Sequence, residues 1–363
     1  MSNLLAHSPQ DLDQINGLLS KDIPSYRQAY SDRTAWLMAC LSELAYIKFN
    51  PIFATDERKK LFLDVVSKLD KGDKKSILIK LIDTFGYDHQ QEKVELEKNL
   101  GILKMQLVST FDESGTQAIL VSNEKFVVLA FRGTEKDSMQ DIKADLKAKT
   151  IQSETGGKIH QGFKEAFEKV ALDVQMEIKK DEHKDKPLFI TGHSLGGALA
   201  TVAAKNLSHD GGIAACYTFG SPRVGDDEWI AGMKAPVYRV VNAADCVTII
   251  PFGKSVIVAL CWLTKHIPGV GDAVRSWLAK FGGYIHCGDM RYLTNCQKNK
   301  YGDVKLLYYA SPLRRFKGLL NGAVPWKRFL SDHSISVYRK KLMIVAQKRN
   351  PTSQNSSSFD ACS

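Results

Sequence analysis

Two periodicities divide this chain. Up to about residue 100 the apolar positions recur at three- and four-residue intervals, the signature of helices with one buried face. Ser31-Asp32 offers an N-cap, and Ala35, Leu37, Met38, Leu41, Leu44, Ala45 and Ile47 follow at helical spacing. Leu61, Leu63, Val65, Val66 and Leu69 continue the pattern. Ile77, Leu78, Leu81 and Ile82 resume it after a basic run at 71–75, which reads as a solvated turn. Beyond Leu103 the pattern changes. Residues 117–121 and 126–131 are short runs of β-formers separated by Ser122-Asn123-Glu124-Lys125, which predicts a hairpin. A helix is expected over 162–180, a buried strand at 188–190, a helix of small residues over 195–204, and buried strands at 214–219 and 237–241. A strand at 305–309 and a helix over 334–347 complete the series.

Strands alternating with helices give an α/β fold with a largely parallel central sheet flanked by helices. The organisation expected is a helical N-terminal region at 1–100, an α/β domain at 101–349, and a polar, Ser-rich tail at 350–363 that has no means of packing. Residues 252–283 interrupt the rhythm. They concentrate Val256, Ile257, Trp262, Trp277 and Leu278 among Lys254, Lys265, Arg275 and Lys280, with breaks at Pro268-Gly269 and Gly271. That mixture predicts an insert of one or two amphipathic helices near the active site, either covering its mouth against an anionic lipid surface or packing as an extra pair of core helices.

Composition narrows the classes. With 44% hydrophobic and 25% charged residues over 363 positions, the chain is long and apolar enough to bury a sizeable core. Its net charge of +10 favours an anionic partner. No nucleic-acid-binding module accompanies that charge, so a membrane surface is the expectation and nucleic acid is not. The seven cysteines (Cys40, Cys216, Cys246, Cys261, Cys287, Cys296 and Cys362) form no CxxC pair, so neither a zinc nor a redox site is expected, and free thiols point to a reducing compartment. The first thirty residues lack the basic start and apolar core of a signal peptide. The expectation is a cytoplasmic chain, with export by a signal-independent route as the other course.

The chemistry lies in Gly192-His193-Ser194-Leu195-Gly196, a G-x-S-x-G pattern between a predicted strand and a predicted helix. A turn that tight requires Gly192 and Gly196, whose missing β-carbons would otherwise clash. It pushes the Ser194 hydroxyl out above the sheet and aims the first N–H groups of the following helix at a reacting carbonyl. A serine hydroxyl needs a base, and the base an orienting acid. In α/β hydrolases the chain order is Ser, acid, His. Asp245, just past the predicted strand at 237–241, stands where the acid belongs; Asp226 and Asp227 compete but suit a helix cap near Glu228. His266, His286 and His333 lie downstream, and His333, behind Ser331-Asp332 at a helix start, is the best placed.

Further segments fall in an order that resembles the class 3 lipase family, the family of filamentous-fungal triacylglycerol lipases and plant plastid phospholipases. They are SELAY at 42–46, VVLAFRGTE at 127–135, IHQGF at 159–163, ITGHSLGGALA at 190–200, TFGSPRVGD at 218–226, YRVVNAADCVTIIP at 238–251, YIHCG at 284–288 and DHSISVY at 332–338. The resemblance implies an α/β-hydrolase that cleaves lipid esters, triacylglycerol or phospholipid, through an acyl-enzyme and without a metal or organic cofactor. It implies Ser194 as nucleophile, Asp245 as acid and His333 as base. It also implies an oxyanion hole formed by Thr134 and the Leu195 N–H; His286 aligns with a mostly structural histidine of the family and stays the runner-up base. The chain departs from the family in two places. The segment after Arg132-Gly133-Thr134, at 138–146, is polar and lacks the aromatic of the fungal lid, and 252–283 replaces a short loop. A lipase-like scaffold without catalysis is the other reading, and the presence of all three triad residues speaks against it.

Overall fold

The computed structural model describes residues 4–25, 29–48, 56–68, 78, 86–133, 150–243, 245, 247–249, 283–297, 299–310 and 331–349. The insert at 252–283, apart from its last residue, and the segment 138–146, Thr134, His266 and the tail lie outside them.

The N-terminal portion supplies four helices among the described residues: α1 (Pro9–Leu19), α2 (Asp32–Leu44), α3 (Asp56–Ser67) and α4 (His89–Ile102). Local chemistry sets their starts. Ser8 and Asp11 form a reciprocal capping box at α1, Ser31 accepts the Thr34 N–H at α2, and Asp88 accepts those of Gln90 and Gln91 at α4. The rest alternates: β1 (Gln106–Glu113), β2 (Thr116–Ser122), β3 (Val127–Phe131), β4 (Thr150–Gln152), β5 (Lys158–His160), α5 (Gln161–Ile178), β6 (Leu188–His193), α6 (Leu195–Asn206), β7 (Ile213–Phe219), α7 (Asp227–Ala231), β8 (Val237–Asn242), β9 (Asp289–Leu293), β10 (Leu306–Leu307) and α8 (Ile335–Arg349).

Among the described residues the main sheet runs β1-β2-β3-β6-β7-β8-β9-β10. Its centre, from β3 to β9, is parallel, and antiparallel pairs close both edges. The strands β6, β7 and β8 are almost wholly buried, as a sheet covered on both faces requires.

Strand periodicity shows the layers directly. Ile119, Val121, Val128, Ala130, Phe189, Tyr217 and Val240 pack with Leu37 and Leu41 of α2, Leu96 of α4 and Leu342 of α8. The alternate residues Leu120, Val127, Leu129, Phe131, Ile190 and Val237 pack with Phe163, Phe167 and Val174 of α5 and Val202 of α6 on the other face. This is the α/β-hydrolase arrangement expected. The sequence reading missed β1, the β4–β5 hairpin and β9, while the short α7 starts where the helix near Glu228 was expected. The strand predicted at 305–309 shrinks to Leu306–Leu307, because Tyr308 and Tyr309 turn out to solvent with 66% and 69% of their surface exposed.

Candidate active site

Loops at the carboxyl ends of the parallel strands build the site, as in open α/β sheets generally. Strand β6 ends in Gly192-His193 and reverses directly into α6. Ser194 sits at the reversal with φ 58° and ψ −127°, a conformation a non-glycine residue holds only when its surroundings enforce it. Two close approaches enforce it here. A β-carbon at Gly192 would overlap the backbone of Gly196, and one at Gly196 would overlap the Phe131 carbonyl of β3. The Ser194 N–H continues the sheet by donating to the Phe219 carbonyl at 2.9 Å. Leu195 opens α6, so its N–H belongs to the first turn, where backbone donors have no acceptor within the helix.

The loop after β8 carries Asp245, and the turn before α8 carries His333. The Ser194 Oγ lies 2.8 Å from His333 Nε2, and His333 Nδ1 lies 3.0 Å from each carboxylate oxygen of Asp245. All three side chains are buried, with Ser194 at 1%, Asp245 at 0% and His333 at 8% exposure. A buried carboxylate needs donors. Asp245 Oδ1 also accepts the Val247 N–H at 3.0 Å, and Oδ2 accepts the Tyr338 hydroxyl at 2.6 Å. Burial, and then the neighbouring Asp245 carboxylate, push the Tyr338 phenol well above its ordinary pKa, so it remains a donor.

Asn242 knits these loops together. Its carbonyl accepts the Asp245 N–H, and its side chain donates to the Asp332 carbonyl at 2.8 Å, one residue before His333. The buried Lys341 ammonium donates to Asn242 Oδ1 at 2.6 Å and to the Thr294 carbonyl at 3.0 Å. Gly220, past the end of β7, has φ 59°, and a β-carbon there would lie 2.6 Å from Asp245 Oδ2 and 3.0 Å from His333 Nδ1.

Of the competing residues, Asp226 caps α7 by accepting the Trp229 N–H. His286 Nε2 lies 2.6 Å from the Thr248 carbonyl and is not the partner of Ser194. Thr134 lies outside the described residues, which end just before it at Gly133. Sequence reasoning passed over Gly220, Asn242, Lys341 and the bond from Tyr338 to Asp245. Of these Tyr338 left a signal in the H-x-x-x-x-Y spacing of 333–338, and Asn242 in the N-x-x-D spacing of 242–245. Among the described residues no group of three or more His, Cys, Asp or Glu is arranged to hold a metal ion, and no helix is long and apolar enough to cross a membrane.

Comparison with known proteins follows the same line. The family described as Lipase (class 3) matches residues 128–255. A secreted mono- and diacylglycerol lipase of Fusarium solani is 28% identical over 66% of this chain and 72% of its own length. A lipase of Rhizomucor miehei is 31% identical over 40% of this chain and 44% of its own, and a triacylglycerol lipase of Arabidopsis thaliana 28% over 41% and 40%. The chain thus spans less than half the length of the latter two. Among solved structures, a lipase from Rhizopus microsporus is 19% identical, with a TM-score of 0.48, over 86% of this chain and 92% of its own.

The relatives overturn the expectation of a cytoplasmic chain, since those from Fusarium solani and Malassezia globosa are named as secreted. That expectation rested on the first residues of the sequence, and where a sequence begins says nothing about export. Nor do the thiols report a compartment. Cys40, Cys216 and Cys287 are buried, and burial raises all three, Cys287 to about 11, which removes the thiolate that oxidation requires.

Proposed function

We propose that this chain, which is similar to the class 3 lipases over residues 128–255, is a carboxylic ester hydrolase that cleaves the acyl esters of glycerolipids with Ser194, His333 and Asp245 as its triad. The observation that carries this reading is the 2.8 Å contact between Ser194 Oγ and His333 Nε2. His333 Nδ1–H donates to Asp245, which leaves the Nε2 lone pair to accept the hydroxyl proton.

In the proposed reaction Ser194 Oγ attacks the ester carbonyl carbon as its proton passes to His333 Nε2. The imidazolium forms against the Asp245 carboxylate. The tetrahedral oxyanion takes the Leu195 N–H, and Thr134 is proposed as the second donor. One such donor contributes on the order of 3 kcal/mol to the transition state. The alcohol leaves with the proton from Nε2. Water then gives a proton to the same nitrogen, attacks the acyl-enzyme carbonyl and releases the acid, returning the proton to Ser194.

Relatives named for mono- and diacylglycerol and for triacylglycerol favour acylglycerols as the substrate class, and the secreted relatives favour action outside the cell. The net charge of +10 favours a lipid interface bearing negative charge. The test measures fatty-acid release from mono-, di- and triacylglycerol emulsions and from phospholipid vesicles, by wild type and Ser194→Ala. Release from acylglycerols that Ser194→Ala loses supports the proposal. Release from phospholipid alone overturns the substrate class, and no release from any ester returns the scaffold reading.

A further inference from the structure

The segment Ser42-Glu43-Leu44-Ala45-Tyr46 ends α2, and the reaction above makes no use of it, yet its tyrosine reaches the site. Tyr46 Oη lies 2.9 Å from His193 Nδ1, and His193 Nε2 lies 2.6 Å from the His333 backbone carbonyl. For a neutral imidazole, proton bookkeeping fixes the direction of both bonds. A carbonyl only accepts, so Nε2 carries the hydrogen and donates to it. The neutral imidazole then has its lone pair at Nδ1, which accepts the Tyr46 hydroxyl. His193 is 3% exposed, and its ring centroid lies 4.6 Å from that of His333.

We propose that His193, its ring set by Tyr46, is a positioning residue that clamps the main chain of His333 to the nucleophile elbow. The inference rests on the triad reading. His193 immediately precedes Ser194, so one stretch of backbone carries both the nucleophile and the clamp on the base. Without the clamp, the direct link between Ser194 and His333 is the reacting hydrogen bond, and that bond must break and re-form in each half-reaction. With it, the backbone that carries the imidazole is held by a bond the chemistry leaves untouched.

Tyr46 extends the clamp to the oxyanion arm. A β-carbon on Gly133 would overlap both Tyr46 Oη and the His193 carbonyl, and would stand 3.3 Å from Ser194 Cβ. Gly133 therefore packs against the Tyr46 hydroxyl and the His193 main chain. Next along the motif, the Ser42 and Thr191 hydroxyls share a hydrogen bond at 2.9 Å, and Glu43 pairs with Arg339 of α8. The end of α2 thus touches the strand that bears Ser194 and the helix that follows His333.

The test compares two amides at one position. In His193→Gln the side-chain N–H can reach the place of Nε2 and donate to the His333 carbonyl. In His193→Asn it reaches only the place of Nδ1. Tyr46→Phe keeps the ring and removes the donor. All are assayed with wild type and Ser194→Ala on a soluble short-chain nitrophenyl ester, with folding checked by thermal melting.

The expectation is a kcat for His193→Asn about 10²-fold below wild type, the scale of a 1 Å misplacement, with KM changed less than about twofold. His193→Gln recovers most of the loss, and Tyr46→Phe loses about tenfold in kcat. Equal kcat for Gln and Asn, or a wild-type kcat for Tyr46→Phe, overturns the clamp while an inactive Ser194→Ala leaves the triad standing. If either His193 variant fails to fold, Tyr46→Phe decides alone. An inactive wild type or an active Ser194→Ala overturns the triad reading, and the clamp with it.

Discussion

Tyr338 stands between the acid and its strand: its hydroxyl donates to Asp245 Oδ2 at 2.6 Å and accepts the Asn242 N–H at 3.0 Å. Four residues into the helix that follows His333, it ties α8 to the end of β8. Tyr338→Phe removes both bonds in a site with no water-exposed alternative. The expected loss of stability is about 1.5–3 kcal/mol, the range for a hydrogen bond to a charged group. A lower midpoint of urea unfolding at unchanged slope measures it. An unchanged midpoint removes Tyr338 from the support of the acid.

Gly220 is a second support that works by its emptiness. A methyl group there meets Asp245 Oδ2 and His333 Nδ1, and the positive φ adds strain of about 1–2 kcal/mol. Gly220→Ala is expected to fold and to lose kcat on the order of 10²-fold, because the acid and base are pushed apart. Steady-state turnover of a soluble ester reads it, and a kcat within twofold of wild type contradicts it.

The elbow is legible because its demands are local: a strand, two glycines and a helix of small residues occupy adjacent positions. Asp245 and His333 stand out through chain order, and these are the residues that hydrogen-bond in series with Ser194. Gly220 and Asn242 fall within the quoted segments, but their roles are not legible there, because those roles arise from approaches between distant parts of the chain. Strand β9 escaped for a different reason. Its sequence holds Asp289 and Arg291, which argue against a covered strand. The Arg291 guanidinium is accommodated by the rings of Tyr30 and Tyr308, each 4.7 Å away, and of Tyr238 at 5.5 Å. Strand β1 hid because it is an edge strand, and its partly exposed residues show no clean alternation.

Glu43 and Arg339 form a buried ion pair between α2 and α8, and the guanidinium also reaches the carbonyls of Leu4 and Leu5. Removing one partner strands a buried charge. Glu43→Ala is expected to cost about 3–5 kcal/mol, whereas Glu43→Gln with Arg339→Met costs much less. Denaturant unfolding of the single and double variants separates the two. Equal losses would show that the charge itself is not the issue.

The buried thiols give a chemical check on the core. Cys40, Cys216 and Cys287 should resist alkylation by iodoacetamide at pH 8 in the native protein and react once it is unfolded in guanidinium. Peptide mapping by mass spectrometry assigns each site. Rapid native alkylation of Cys216, which lies in the central strand β7, would contradict the packing described.

In the proposed reaction Ser194 owes its reactivity to His333. A fluorophosphonate probe, followed by peptide mass spectrometry, reads this at the residue itself. The expected result is a single adduct on Ser194 in the wild type, none in Ser194→Ala, and labelling slowed by at least about 10²-fold in His333→Ala, the lower end of the usual range for losing a general base. Labelling of another residue, or an unchanged rate in a folded His333→Ala, would contradict it.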